Sequence, residues 1–100
     1  MDKYKIFMYP RAYRDIDGIY TYIAENLKER EIALKMVDTL EEAIYSLTQM
    51  PQRGSIRRVG AYANKGYRQL FVKNYIIIYT VKQEEKEVHI VTIRYAASNF

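Results

Sequence analysis

Cysteine and tryptophan are absent, and histidine occurs once, at His89. Without cysteine there is no disulfide, no thiolate metal site and no sulfur nucleophile, and one imidazole is too few for an all-protein zinc site. No metal or other cofactor is expected. Long hydrophobic runs are missing as well. The longest unbroken apolar stretch, residues 75–79, falls far short of the roughly 20 residues that cross a bilayer. The opening MDKYKI lacks the apolar stretch of a secretory signal. A cytosolic protein with no membrane partner is expected.

What is present suits one globular domain. A chain of 100 residues is spanned by a single hydrophobic core. Surface scaling gives roughly 6,000 Å² folded against about 17,000 Å² unfolded, enough burial for a core without staples. With 49% hydrophobic and 28% charged residues the composition is that of a globular protein. There is no internal repeat and no low-complexity segment. Charge is distributed unevenly. Residues 1–50 carry seven Lys/Arg and nine Asp/Glu, and residues 51–100 carry nine and three. Between positions 53 and 73, Arg53, Arg57, Arg58, Lys65, Arg68 and Lys73 meet no acidic residue. Such a segment attracts polyanions and favours nucleic acid non-specifically, unless it is merely the solvated face of a basic protein. The 11 tyrosines can stack on bases or fill half-wet cores.

Hydrophobic periodicity orders the elements. Residues 4–9, rich in aromatic and β-branched side chains and stopped by Pro10, predict a strand. From Pro10, the apolar residues Ala12, Ile16, Ile19, Tyr20, Ile23 and Leu27 trace one helical face. Residues 26–31 break the pattern with polar groups and predict a turn. A second helical register runs through Ile32, Met36, Leu40, Ala43, Ile44, Leu47 and Met50, until Pro51 prevents its continuation. Residues 52–66, punctuated by Gly54, Gly60, Asn64 and Gly66, predict a basic loop with a short edge strand at 56–59. Three β-type runs follow at 67–72, 75–81 and 88–94, joined by Lys73-Asn74, where Asn74 can accept positive φ, and by the polar turn 82–87. Ile76, Ile77 and Ile78 are apolar on both pleat faces, as in a central strand, whereas the run after Val88 alternates less cleanly. The expected class is α+β: an N-terminal strand, an antiparallel two-helix hairpin and a three- to four-stranded, mostly antiparallel sheet, in the order β-α-α-β-β-β.

The opening strand and proline, AYRDIDGIYTYIA at 12–24, SLTQMP at 46–51 and GYRQLFVKNYIIIYTV at 66–81 together resemble the RelE/ParE superfamily of bacterial toxin–antitoxin toxins, also called plasmid-stabilisation proteins. The resemblance spans nearly the whole chain. It implies a toxin that arrests growth and is neutralised by a cognate antitoxin. One branch of the superfamily cleaves messenger RNA, typically on the ribosome. Another poisons DNA gyrase without a comparable nuclease site.

Metal-free RNA cleavage drives a ribose 2′-oxygen onto the adjacent phosphate, which requires a base, an acid and cations around the developing charge. The resemblance places Arg68 where the nuclease branch contacts the scissile phosphate, and Tyr95, with Arg94, where that branch completes its site. Arg68 and Tyr95 are therefore the expected catalytic residues. A guanidinium at the start of a strand, on a side chain pointing away from the core, could fork onto two phosphate oxygens. Arg57, Arg58, Lys65 and Arg94 are the expected RNA-binding residues. His89, among β-branched neighbours, reads as a structural or solvent-facing imidazole, and Glu41 and Glu42 as the wet face of a helix. After Tyr95 the chain reads AASNF, where many relatives have further Arg, His or Asp residues, so this segment supplies no base.

The leading expectation is an mRNA-cleaving endoribonuclease toxin acting on ribosome-bound message. The alternatives are a gyrase-inhibiting toxin without nuclease activity and a catalytically inactive relative. A cognate antitoxin that brings acidic residues and an amphipathic helix is the expected partner, and self-association is left open. The nuclease reading requires the basic loop and the two sheet-borne arginines, Arg68 and Arg94, to converge on one concave surface.

Overall fold

The computed structural model describes residues 3–98 and Phe100. Met1 and Asp2 of the opening segment, and Asn99 in the run after Tyr95, lie outside the described residues. Strand β1 (Lys5–Met8) leads through Tyr9 into helix α1 (Pro10–Thr21), whose first turn accommodates proline because no partner is lost there. A π-helical turn (Tyr22–Asn26) prolongs α1. It is followed by the link 27–29 and helix α2 (Arg30–Ser46). Strand β2 (Ser55–Ile56), a 3₁₀ turn (Gly60–Tyr62) and strands β3 (Arg68–Val72), β4 (Tyr75–Lys82) and β5 (Glu87–Tyr95) complete the chain. The class is α+β as expected, and no described helix is long and apolar enough to cross a membrane.

Sheet order is β1-β5-β4-β3-β2: the four strands after the helices fall within the expected three to four, and the expected N-terminal strand joins them as the fifth. The last four pair antiparallel in sequence, while β1 joins the far edge parallel to β5, with Ile6 opposite Val88 and Met8 opposite Ile90. The edge strand in the basic loop covers Ser55–Ile56 instead of 56–59, and positive φ at the β3–β4 hairpin falls on Lys73 (55°) instead of Asn74. Helix α2 ends at Ser46, four residues before Met50, because Leu47, Thr48 and Gln49 turn the chain toward β1 and Thr48 accepts the Tyr4 N–H through its carbonyl at 2.8 Å.

The hairpin of helices covers one face of the sheet. Ala12, Leu40, Ala43, Ile44 and Leu47 meet Leu70, Val72, Ile77, Tyr79, Val88, Ile90 and Ile93 in the main core. The irregular alternation after Val88 has a structural cause. Ile78 pairs with Thr92 but Tyr79 pairs with Ile90, so Val91 is an extra residue, a β-bulge that turns both Ile90 and Ile93 toward the helices. Asp15 on α1 secures the bulge by accepting hydrogen bonds from the Thr92 hydroxyl and, at 2.9 Å, from the Ile93 N–H. Val91 itself faces the opposite side with Ile76 and Ile78, where Tyr62, Tyr67 and Phe100 cover them.

Candidate functional site

Sheet alternation divides the predicted site residues between two faces. On β3, Arg68, Leu70 and Val72 share the helix-side face, and Gln69 and Phe71 the outer one. Arg68 stands opposite Tyr79 in register, and its Nη1 donates to the Gly54 carbonyl at 2.6 Å. Beside it, the fully buried Tyr79 hydroxyl accepts the Gly54 N–H and donates to the Pro51 carbonyl, each at 2.8 Å. Burial raises the Tyr79 phenol above its ordinary pKa, while the Gly54 hydrogen bond and the Arg68 and Arg53 guanidiniums act in the opposite sense. Arg68 thus ties the turn at Gly54 to β3, on the face that also carries Leu70 and Val72.

Tyr95 also lies on the helix side, opposite Tyr75, with the two rings edge to face at 5.8 Å. Its partner Tyr75 has its pKa raised by burial and by the neighbouring Tyr95 and Tyr22 phenols. Between the Cα atoms of Arg68 and Tyr95 lie two strand spacings and four residues along β4, a separation of roughly 16 Å. Each has its own neighbour there, the Gly54 carbonyl for Arg68 and the Tyr75 ring for Tyr95. Tyr95 instead lines an open, largely apolar groove of about 790 Å³ between the helices and the ends of β4 and β5, together with Ile19, Tyr22, Leu27, Ile32 and Met36.

The outer face gathers the other two sheet-associated cations. Arg57, only 7% exposed, donates from Nε to the Val59 carbonyl at 3.0 Å and from Nη1 to Gln69 Oε1 at 2.8 Å. Its guanidinium carbon lies 4.5 Å from the centre of the Phe100 ring, and that of Arg94 lies 4.9 Å from the same ring. Arg58 and Lys65 are exposed on the connecting loop. Among the described residues no carboxylate pairs with Arg57, Arg58, Lys65, Arg68 or Arg94, whereas His89 Nε2 lies 2.9 Å from Glu87 Oε1. His89 also meets the Tyr9 hydroxyl through Nδ1 at 3.2 Å, on the β1 side of the sheet and four β4 residues from the level of Arg94. No described group of three or more acidic or imidazole side chains could hold a metal ion.

The predicted convergence is therefore corrected. Arg57 and Arg94 come together around Phe100, and Arg58 and Lys65 border that face along the loop. Arg68 and Tyr95 lie on the other face, well apart. Phe100 is not in the expected set, whereas an apolar groove beside the two helices is the surface expected to receive the antitoxin, and it is lined by the regularly spaced helix positions Ile19, Ile32 and Met36.

Comparisons with known proteins bear on this geometry. Residues 6–100 match the family model of the ParE toxin of the type II toxin–antitoxin system, parDE. Similar folds occur in the chromosomal ParDE toxin–antitoxin system of P. aeruginosa (26% identity, 93% of this chain and 96% of that one, TM-score 0.76) and in the RelBE2 toxin–antitoxin complex of Mycobacterium tuberculosis (17%, 98% and 97%, TM-score 0.71). The archaeal RelE–RelB complex of Pyrococcus horikoshii OT3 is similar over 97% of this chain and 99% of that one, at 10% identity and a TM-score of 0.64. A comparison with curated protein sequences gave no match.

Proposed function

Because the chain belongs to the ParE toxin family of type II toxin–antitoxin systems, we propose that it arrests growth by binding a protein target, DNA gyrase, and not by cutting messenger RNA. The observation that carries this reading is that Arg68 and Tyr95 are each engaged by a different structural neighbour and not by one another. RNA cleavage needs a base, an acid and a cation around one phosphate. Here the arginine in the family-matched position donates to the Gly54 carbonyl, and the tyrosine packs edge to face against Tyr75. The outer face supplies cations, Arg57 and Arg94, with an aromatic ring between them and neither a carboxylate nor an imidazole paired to them. Positive charge of this kind steers a protein toward an acidic or nucleic-acid-bearing partner without providing proton transfer.

Restraint by a cognate antitoxin fits the helix-side groove. An amphipathic segment would place aliphatic side chains against Ile19, Ile32 and Met36, and would meet Arg14 at the groove wall with a carboxylate. The mRNA-cleaving reading is tested directly against the gyrase one by inducing the protein in growing cells, following DNA and protein synthesis separately, and mapping RNA ends. DNA synthesis should fall first, with no new RNA ends at doses that stop growth. New ends within translated messages, appearing before DNA synthesis declines, would overturn the proposal.

A further inference from the structure

Phe100 occupies a seat that the rest of the outer face has built. Its ring packs on the cluster of Ile76, Ile78 and Val91, beside Tyr62 and Tyr67, with two guanidiniums over it. Gly60, at φ +75°, is the residue that lets the chain come close: a Cβ there would collide with the Phe100 carbonyl. Arg57 is the unusual member. A guanidinium withdrawn this far from water is ordinarily matched by a carboxylate, since an unpaired buried charge is costly. Here the matching groups are a backbone carbonyl, an amide and a ring face, none of which carries a negative charge. After β5, Ala96 N–H donates to the Asn74 carbonyl of the β3–β4 hairpin at 2.7 Å and Ser98 N–H to the Tyr95 carbonyl at 2.9 Å. Nothing in those bonds ties the ring itself down.

We propose that Phe100 is an internal plug over a two-arginine anion site, an autoinhibitory contact: with the ring seated, Arg57 and Arg94 are closed to a phosphate-type anion, and with the ring lifted they bind it. The proposal does not depend on which cellular target the toxin attacks. If only a small fraction of molecules is unplugged, the apparent affinity for an anion is reduced by that fraction, and removing the plug restores it.

Inorganic pyrophosphate is the probe, titrated calorimetrically at low ionic strength into the purified full chain. Phe100→Ala should bind it about tenfold or more tightly than wild type, as expected when a closed state is abolished. Adding Arg57→Gln to Phe100→Ala should remove the gain. Because the alanine variant loses apolar cover and could fail to fold, Phe100→Leu provides a second arm, keeping an aliphatic group on Ile76 and Val91 while deleting the ring. There, modification of Arg57 by phenylglyoxal, read by mass spectrometry against Arg58 in the same molecule, should rise about threefold or more over wild type as the loss of the cation–π contacts frees the guanidinium. Equal pyrophosphate affinity in wild type and folded Phe100→Ala overturns the plug. So does an Arg57 modification rate that Phe100→Leu leaves unchanged.

Discussion

Replacing Tyr79 with phenylalanine should destabilise the protein by about 3 kcal/mol, since it strands two buried backbone groups at about 1–3 kcal/mol each. The ring would still fill its place in the core. What disappears is the hydroxyl that accepts the Gly54 N–H and donates to the Pro51 carbonyl, and neither group has another hydrogen-bond partner among the described residues. For a domain of this size the loss corresponds to a fall in Tm of more than about 10 °C. The same hydroxyl gives the protein an alkaline limit. Burial raises the Tyr79 pKa in the folded state, so the folded state favours the neutral phenol. That contribution is fully present below the unfolded phenol value of about 10 and is lost as pH rises above it. Urea unfolding at pH 7 and pH 10.5 checks both statements. The stability gap between wild type and Tyr79→Phe should narrow at the higher pH; a gap that stays constant, or a variant as stable as wild type at pH 7, contradicts the assignment.

Gly54→Ala should be at least as damaging, for a different reason. A Cβ at this position would collide with the Gln69 carbonyl and come within 2.8 Å of the Tyr79 hydroxyl. The first obstacle is backbone of β3, which cannot yield without disturbing its pairing with β2 and β4. Overpacking of this kind costs about 1–3 kcal/mol, and here the displaced hydroxyl adds to it. Thermal melts of Gly54→Ala, Tyr79→Phe and the double variant should show marked non-additivity, because both substitutions break the same pair of hydrogen bonds. Additive losses would mean that the turn and the tyrosine act independently.

This turn, with Arg68 bonded to the Gly54 carbonyl, also shows what the sequence allowed a reader to see. The helices are legible because periodic residues such as Ala12, Ile23, Leu40 and Leu47 have only to face one way, and the core they meet does so too. The parallel pairing of β1 is not legible: its partner lies some 80 residues away, and nothing in residues 5–8 distinguishes a parallel neighbour from an antiparallel one. The bulge left a trace in the broken alternation after Val88, since an extra residue at Val91 shifts every later side chain to the other face. The face of Arg68 is legible in the sequence as well. Arg68 precedes Leu70 and Val72 at two-residue spacing, and those two residues had to be buried, so the arginine shares their side of the sheet. The meeting of Arg57, Arg94 and Phe100 had no local signal. It depends on a loop, a strand and a following segment brought together only by the assembled sheet.

The central claim is that this toxin holds a protein target and performs no RNA chemistry of its own. Its most direct test is to add the purified protein to DNA gyrase, ATP and plasmid, and in parallel to translating ribosomes, across one concentration range. The account predicts loss of supercoiling with accumulation of gyrase-linked cleaved DNA, reversed by the cognate antitoxin, while the ribosome-bound message stays intact. Gyrase unaffected and message cut, at the same concentrations, would contradict it.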